Sequence, residues 1–150
     1  MRVVIQRVTS CILTIGGQES CRIGTGLLVL LSVEDTDNAF DTEWITGKIT
    51  GLRIFDDDKG AMDLDIKDIR GEIMVVSQFT LHASTRRGNR PSYSKAAKPE
   101  IARPLYESFI DAIEQDLGYM VATGEFGAHM QLELINDGPV TIIIDSKNKE

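Results

Sequence analysis

Five consecutive apolar residues, Leu27-Leu28-Val29-Leu30-Leu31, follow the break Gly24-Thr25-Gly26. A run of that length with no polar alternation reads as a strand covered on both faces, so the chain must supply packed layers around it. The run is far short of the roughly 18 apolar residues a membrane span needs, so no membrane partner is expected. With 150 residues, 42% hydrophobic and 26% charged, the chain suits one domain, residues 1–150, built on a single core. The Gly-x-Gly before the run lacks a third glycine at dinucleotide-binding spacing. Met1-Arg2-Val3 leads directly into strand-like sequence without a secretory signal, and the expected location is cytoplasmic.

Arg2 to Val8 reads as a strand, and Ser10–Ile15 and Glu19–Ile23 flank Gly16-Gly17 as a β-hairpin. With Gly16-Gly17 as a two-residue turn, Cys11 falls opposite Arg22, which puts the thiols of Cys11 and Cys21 on opposite faces and leaves them unlinked. From Asp37 the period changes. Phe40, Trp44, Ile45, Ile49 and Leu52 recur at helical spacing to about Thr50, with Asp37 as N-cap, Gly47 as a mark of close packing and Gly51 as C-cap. Leu52–Phe55 and Met62–Ile66 flank Asp56-Asp57-Asp58-Lys59-Gly60, an acidic hairpin turn whose glycine sits one place too early for a calcium loop. A second helix carries Ile101, Leu105, Phe109, Ile113 and Leu117 every fourth residue and stops at Gly118. Pro104 is awkward there, so the helix either begins near Ile101 or kinks. Tyr119–Thr123, Met130–Ile135 and Val140–Asp145 alternate as strands, and a polar tail runs from Ser146 to Glu150. The expected fold is α+β: curved, largely antiparallel, barrel-like or sandwich sheets of short strands, with two main helices covering one side.

Met74-Val75-Val76-Ser77-Gln78-Phe79-Thr80-Leu81 begins as a buried strand and ends in polar groups, which either cap the strand or line a site. A basic island follows. Between Ser84 and Arg103, Arg86, Arg87, Arg90, Lys95, Lys98 and Arg103 face only Glu100, a local balance of +5 in a chain of net charge −7, which leaves −12 elsewhere. Such an island fits either a solvated loop or a phosphate-binding surface. Between the last two strands, Asn136-Asp137-Gly138-Pro139 reads by itself as a turn with a trans peptide bond, since only about one X-Pro bond in twenty is cis.

Conventional catalytic groups are scarce. His82 and His129 are the only imidazoles, and no metalloprotease helix, nucleophile elbow or phosphate-binding loop occurs, so neither metal nor cofactor is expected. Thr80 or Ser77 as nucleophile with His82 as base remains an open arrangement, with Thr80 and His82 on one face of a strand.

Ser77-Gln78-Phe79-Thr80-Leu81, Arg87-Gly88-x-Arg90-Pro91-Ser92 and Asn136-Asp137-Gly138-Pro139-Val140-Thr141 resemble the signature stretches of the D-aminoacyl-tRNA deacylases. Gln6-Arg7-Val8, Gly26–Leu31 and Arg53-Ile54-Phe55 resemble the same family in the same order, so the likeness spans nearly the whole chain. The resemblance implies a homodimer with the deacylase fold that hydrolyses the ester joining a D-amino acid, or glycine, to the 3′ end of tRNA. It assigns Ser77, Gln78, Phe79 and Thr80 to the catalytic stretch. It makes Gly138-Pro139 a cis peptide that reaches into the other subunit's pocket and rejects L-amino acids. Arg86, Arg87, Arg90 and Lys95 are then placed to meet tRNA phosphates.

An enzyme that accepts many D-amino acids must hold the shared α-amino group, ester and ribose, which rigid backbone does well. A thousandfold rejection of L substrates requires about 4 kcal/mol, within reach of one enforced clash, whereas glycine has no Cβ to exclude. The expected chemistry is water attack on the ester, with amides around Phe79 and Thr80 stabilising the oxyanion and the tRNA 2′-hydroxyl assisting. Two alternatives stand beside it: a non-catalytic tRNA-binding module, and a general esterase with Thr80 as nucleophile.

Overall fold

A computed structural model describes residues 1–149, and Glu150, the last of the polar tail, lies outside the described residues. The strands are β1 (Arg2–Ile15), β2 (Gln18–Ile23), β3 (Gly26–Ser32), β4 (Phe55–Asp56), β5 (Met62–Leu64), β6 (Glu72–Ser77), β7 (Ala122–Thr123) and β8 (Met130–Asp145). The helices are α1 (Ala39–Thr50) and α2 (Pro99–Leu117). The main sheet has the order β2-β1-β3-β6-β7, with β8 also paired to β1, and curls into a barrel-like α+β body.

The apolar run behaves as its composition demands. Leu27, Val29 and Leu31 enter one core together with Ile45 and Ile49 of α1 and Phe109 and Ile113 of α2, while Leu28 enters a second core with Val8, Leu13, Met74 and Val76. Successive side chains of a strand point to opposite faces, so β3 divides the two cores. Its neighbour β6 runs parallel, as β7 does to β6, so the sheet is mixed. A Cβ on Gly26 would stand 1.8 Å from the Glu72 carbonyl oxygen, and that close backbone approach is why glycine opens β3.

Two strands are long rather than short. β1 is continuous over 14 residues, and β8 over 16 residues pairs with it from Arg2↔Asp145 to Ile15↔Met130. The Asn136–Pro139 stretch is therefore no hairpin turn. It is a bulge inside β8, where the ladder passes from Gln6↔Thr141 to Val8↔Asn136 with only Arg7 opposite.

The turn at Gly16-Gly17 forms with Ile15 opposite Gln18, but a register shift after Thr14↔Glu19 puts Cys11 opposite Ile23 and Cys21 opposite Leu13. One extra residue in β2 reverses the facing predicted for Cys21, so both thiols share a face and stay free. Burial, with Cys21 nearby, pushes the Cys11 thiol up to about 11.

Asn38, not Asp37, caps α1 in a reciprocal box with Asp41. Asp37 instead pairs with the Met1 ammonium, both fully buried, so the N-terminus lost the cap to an ion pair. Phe40 is 81% exposed and Gly47 has nothing within 4 Å of an added Cβ, so neither serves the packing expected of it. In α2 the buried stripe is Ala102, Tyr106, Phe109 and Ile113, with Ile101 exposed. Strict fourth-residue spacing drifts around a helix of 3.6 residues per turn, which turns Ile101 outward. The helix starts before Ile101: Pro99 takes its first position and Pro104 lies inside it, where it removes the amide that would reach Glu100.

Candidate active site

The strand that opens the signature stretch ends at Ser77, and Phe79–His82 is a 3₁₀ turn rather than more strand. Thr80 and His82 therefore do not share a strand face. Three bonds hold the turn: the Gln78 N–H donates to the Leu31 carbonyl at 2.7 Å, the Ser32 hydroxyl reaches the Phe79 carbonyl at 3.3 Å, and Arg2 donates to the Leu81 carbonyl at 2.9 Å. The N–H groups of Phe79 and Thr80 head the turn, where no preceding turn of helix supplies a carbonyl.

Beside this turn is a cavity of about 580 Å³. Leu31–Val33 and Val76–Phe79 form one wall, Tyr93, Ala96, Ala97, Pro99, Ala102 and Tyr106 a second, and Phe126–Met130 with Leu132 the third. The Tyr106 hydroxyl donates to the Val75 carbonyl at 3.0 Å, and burial, with a smaller contribution from Cys21, pushes its pKa up to about 12, so it stays a donor. Phe79 and Tyr93 meet edge to face at 5.1 Å, both partly exposed.

Ser77, Gln78 and Phe79 line this cavity, and Thr80 follows just beyond its lining. The Thr80 hydroxyl accepts from the Gln78 amide at 2.5 Å. His82 is 3% exposed and lies 2.6 Å from the Ser32 hydroxyl through Nδ1, so it is occupied in the core. Burial, followed by Arg2, holds its pKa below the ordinary histidine value. Arg86, Arg87, Arg90 and Lys95 are exposed on the loop between the turn and α2, joined across its base by the Ser84↔Ser92 bridge. The same loop carries Tyr93 to the cavity. Sequence reasoning missed the third wall. Its signal in the sequence is the glycine-broken stretch Gly124–His129 that carries a histidine just before β8.

Gly138 and Pro139 lie elsewhere. They are exposed on the β8 bulge, do not line the cavity of their own chain, and are joined by a cis peptide, not the trans bond expected of an isolated Gly-Pro. Arg7 supports the bulge from within: Nε donates to the Asp137 carbonyl at 3.2 Å and Nη1 to the Ile54 carbonyl at 2.6 Å. Asn136 spans its base, accepting from the Val140 N–H at 3.3 Å and donating to the Thr141 hydroxyl at 2.9 Å. Ile135 and Ile143 project from β8 on either side of the bulge, 61% and 67% exposed. Among the described residues, no cluster of His, Cys, Asp and Glu has the arrangement to hold a metal ion, and no helix is long and apolar enough to cross a membrane.

Residues 4–145 match the family model described as D-Tyr-tRNA(Tyr) deacylase. Proteins named D-aminoacyl-tRNA deacylase from Flavobacterium psychrophilum and Parabacteroides distasonis are each 59% identical over 150 residues, covering all of both chains. A solved structure described as c-Myc DNA Unwinding Element Binding Protein superposes with a TM-score of 0.91 at 37% identity, covering 97% of this chain and 98% of that one. A cavity headed by backbone amides, the Gly138-Pro139 bulge and agreement along the full chain lead to one assignment: the chain belongs to the D-Tyr-tRNA(Tyr) deacylase family.

Proposed function

We propose that this chain, acting as one deacylase domain in the cytoplasm, hydrolyses the ester of D-aminoacyl-tRNA, and of glycyl-tRNA, to free amino acid and tRNA. The observation that carries this reading is the separation of the two signature stretches. The Ser77–Leu81 turn borders a cavity, while the cis Gly138-Pro139 bulge faces outward from the same chain, braced by Arg7 and flanked by exposed isoleucines. A second copy placed against this face would bring Gly138-Pro139 over the partner's cavity, and a homodimer completes the site in that way. The Gly-Pro carbonyls then take the α-amino group and leave no room for an L side chain, whereas glycine passes.

The cavity's apolar walls suit the terminal nucleoside, and the exposed arginines of the adjoining loop suit the acceptor-stem phosphates. Phe79 and Thr80 amides stabilise the oxyanion as water, assisted by the 2′-hydroxyl, attacks the ester carbonyl. Two geometric facts weigh against Thr80 as nucleophile: its hydroxyl accepts from Gln78, and His82 is engaged with Ser32.

The test is turnover of D-tyrosyl-tRNA, L-tyrosyl-tRNA and glycyl-tRNA by the purified protein. The expected result is release from the first and third only. Binding without ester loss identifies a non-catalytic tRNA-binding module, and hydrolysis of simple esters that disappears in Thr80→Ala identifies a general esterase.

A further inference from the structure

Ser32 closes β3 directly beneath the 3₁₀ turn, 1% exposed, with its Oγ 2.6 Å from His82 Nδ1 and 3.3 Å from the Phe79 carbonyl oxygen. A hydroxyl has one proton to give. Both contacts are hydrogen bonds only if Ser32 donates to Phe79 and His82 carries its proton on Nδ1, donating to Ser32. The relay thus runs from the imidazole through the hydroxyl to a carbonyl.

That carbonyl shares a peptide group with the Thr80 N–H. In a planar trans peptide the C=O and N–H point in opposite directions, so holding the Phe79 carbonyl against Ser32 aims the Thr80 N–H away from the core. We propose that Ser32 and His82 are positioning residues for the catalytic amide of Thr80: a relay at the base of the cavity wall whose hydroxyl is turned to the Phe79 carbonyl and His82, and which acts by orienting an oxyanion donor. The proposal rests on the deacylase reading above. Gln78 and Arg2 pin the two ends of the turn, at the Gln78 amide and the Leu81 carbonyl. Ser32 holds the peptide between them that carries the Thr80 N–H, while the Gln78 carbonyl, which shares its peptide with the Phe79 N–H, is held within the turn by the Leu81 N–H.

The surroundings suit a neutral relay. Burial and Arg2, with the N-terminal ammonium, lower the affinity of His82 for a second proton, against Glu34 and Asp37. Protonation would leave the Nδ1 donor in place, so the role belongs to hydrogen-bond geometry and not to acid–base chemistry.

The experiment compares wild type, Ser32→Ala, Ser32→Thr, His82→Ala and the Ser32→Ala/His82→Ala double variant in deacylation of D-tyrosyl-tRNA, with urea unfolding to verify folding. An oxyanion donor left unaimed lowers kcat by roughly tenfold in Ser32→Ala with KM within about twofold, since ground-state binding is untouched. Ser32→Thr restores the hydroxyl and with it most of kcat. The double variant is no slower than Ser32→Ala alone, because a broken relay cannot be broken twice. A wild-type kcat in Ser32→Ala overturns the proposal, as do additive losses in the double variant or failure of Ser32→Thr to recover kcat while its unfolding midpoint is normal. Absence of turnover in the wild type instead overturns the deacylase reading itself.

Discussion

Replacing Arg7 with methionine tests whether the cis Gly-Pro bulge is a preorganised element or merely a loop. The Arg7 side chain is 8% exposed and donates to the carbonyls of Ile54 and Asp137, with the carboxylates of Asp137 and Asp56 at 3.2 and 3.6 Å. Both carboxylates are about half exposed, so water screens those ion pairs to at most about 1 kcal/mol each. The carbonyls matter more: an acceptor left buried and unpaired costs about 1–3 kcal/mol. Methionine recovers some apolar contact, so the expected loss is about 2–4 kcal/mol in urea unfolding at neutral pH. Function should suffer separately. Gly138 is packed so closely that a Cβ there would come within 3.1 Å of the Arg7 guanidinium and 2.8 Å of Val140, so removing the arginine frees the peptide to tilt. A tilt that forfeits about 1.4 kcal/mol of a chiral clash lowers the D-over-L ratio of kcat/KM roughly tenfold. The assay is deacylation of D- and L-tyrosyl-tRNA by the folded variant. Destabilisation below about 1 kcal/mol with an unchanged ratio would refute the reasoning.

Other expectations follow from single contacts. Thr80→Ala should keep kcat within roughly tenfold of wild type if the backbone performs the catalysis, and near-complete loss in single-turnover kinetics would restore the nucleophile. Gly26→Ala sets a Cβ against the fixed Glu72 backbone at 1.8 Å, so loss of more than about 4 kcal/mol, or failure to fold by circular dichroism, is expected. Asp37→Asn leaves the buried Met1 ammonium with Ser146 and no buried anion, and should cost about 3–5 kcal/mol in urea unfolding. Because folded His82 holds its proton less tightly than the unfolded chain, its contribution to stability is full above the ordinary pKa of 6.5 and is lost as pH falls through the lower folded value. Melting temperatures measured from pH 7 downward should therefore fall less steeply in His82→Gln than in wild type.

Much of the scaffold was legible because its signals are local. The Leu27–Leu31 run, the helical periods from Phe40 to about Thr50 and from Ile101 to Leu117 and the Gly16-Gly17 turn each contain their own physics within a few residues, and the helices observed there span Ala39–Thr50 and Pro99–Leu117. The errors arose where distant partners intervened. Asp37 looked like a cap until the N-terminal ammonium claimed it, and a register shift in β2 put Cys21 on the face of Cys11. The Asn136–Pro139 turn became a bulge because β1 is long enough to pair on both sides of it. The candidate site divides in the same way. Ser77, Gln78 and Thr80 stand out as polar interruptions of a strand, but apart from His129 the walls from Tyr93–Tyr106 and Phe126–Leu132 are apolar or aromatic, and such residues look alike whether they line a cavity or fill a core.

By itself the amino-acid sequence determined the layers, the two signature stretches and the scarcity of reactive side chains, since residue type and short-range periodicity decide these. Only the tertiary structure decided that Phe79–His82 is a turn whose amides border a cavity, that His82 is bound into the core through Ser32, and that Gly138-Pro139 faces away from the pocket of its own chain. Those facts depend on hydrogen bonds between residues up to 130 positions apart, such as Arg7 to Asp137, and no local pattern encodes such partners.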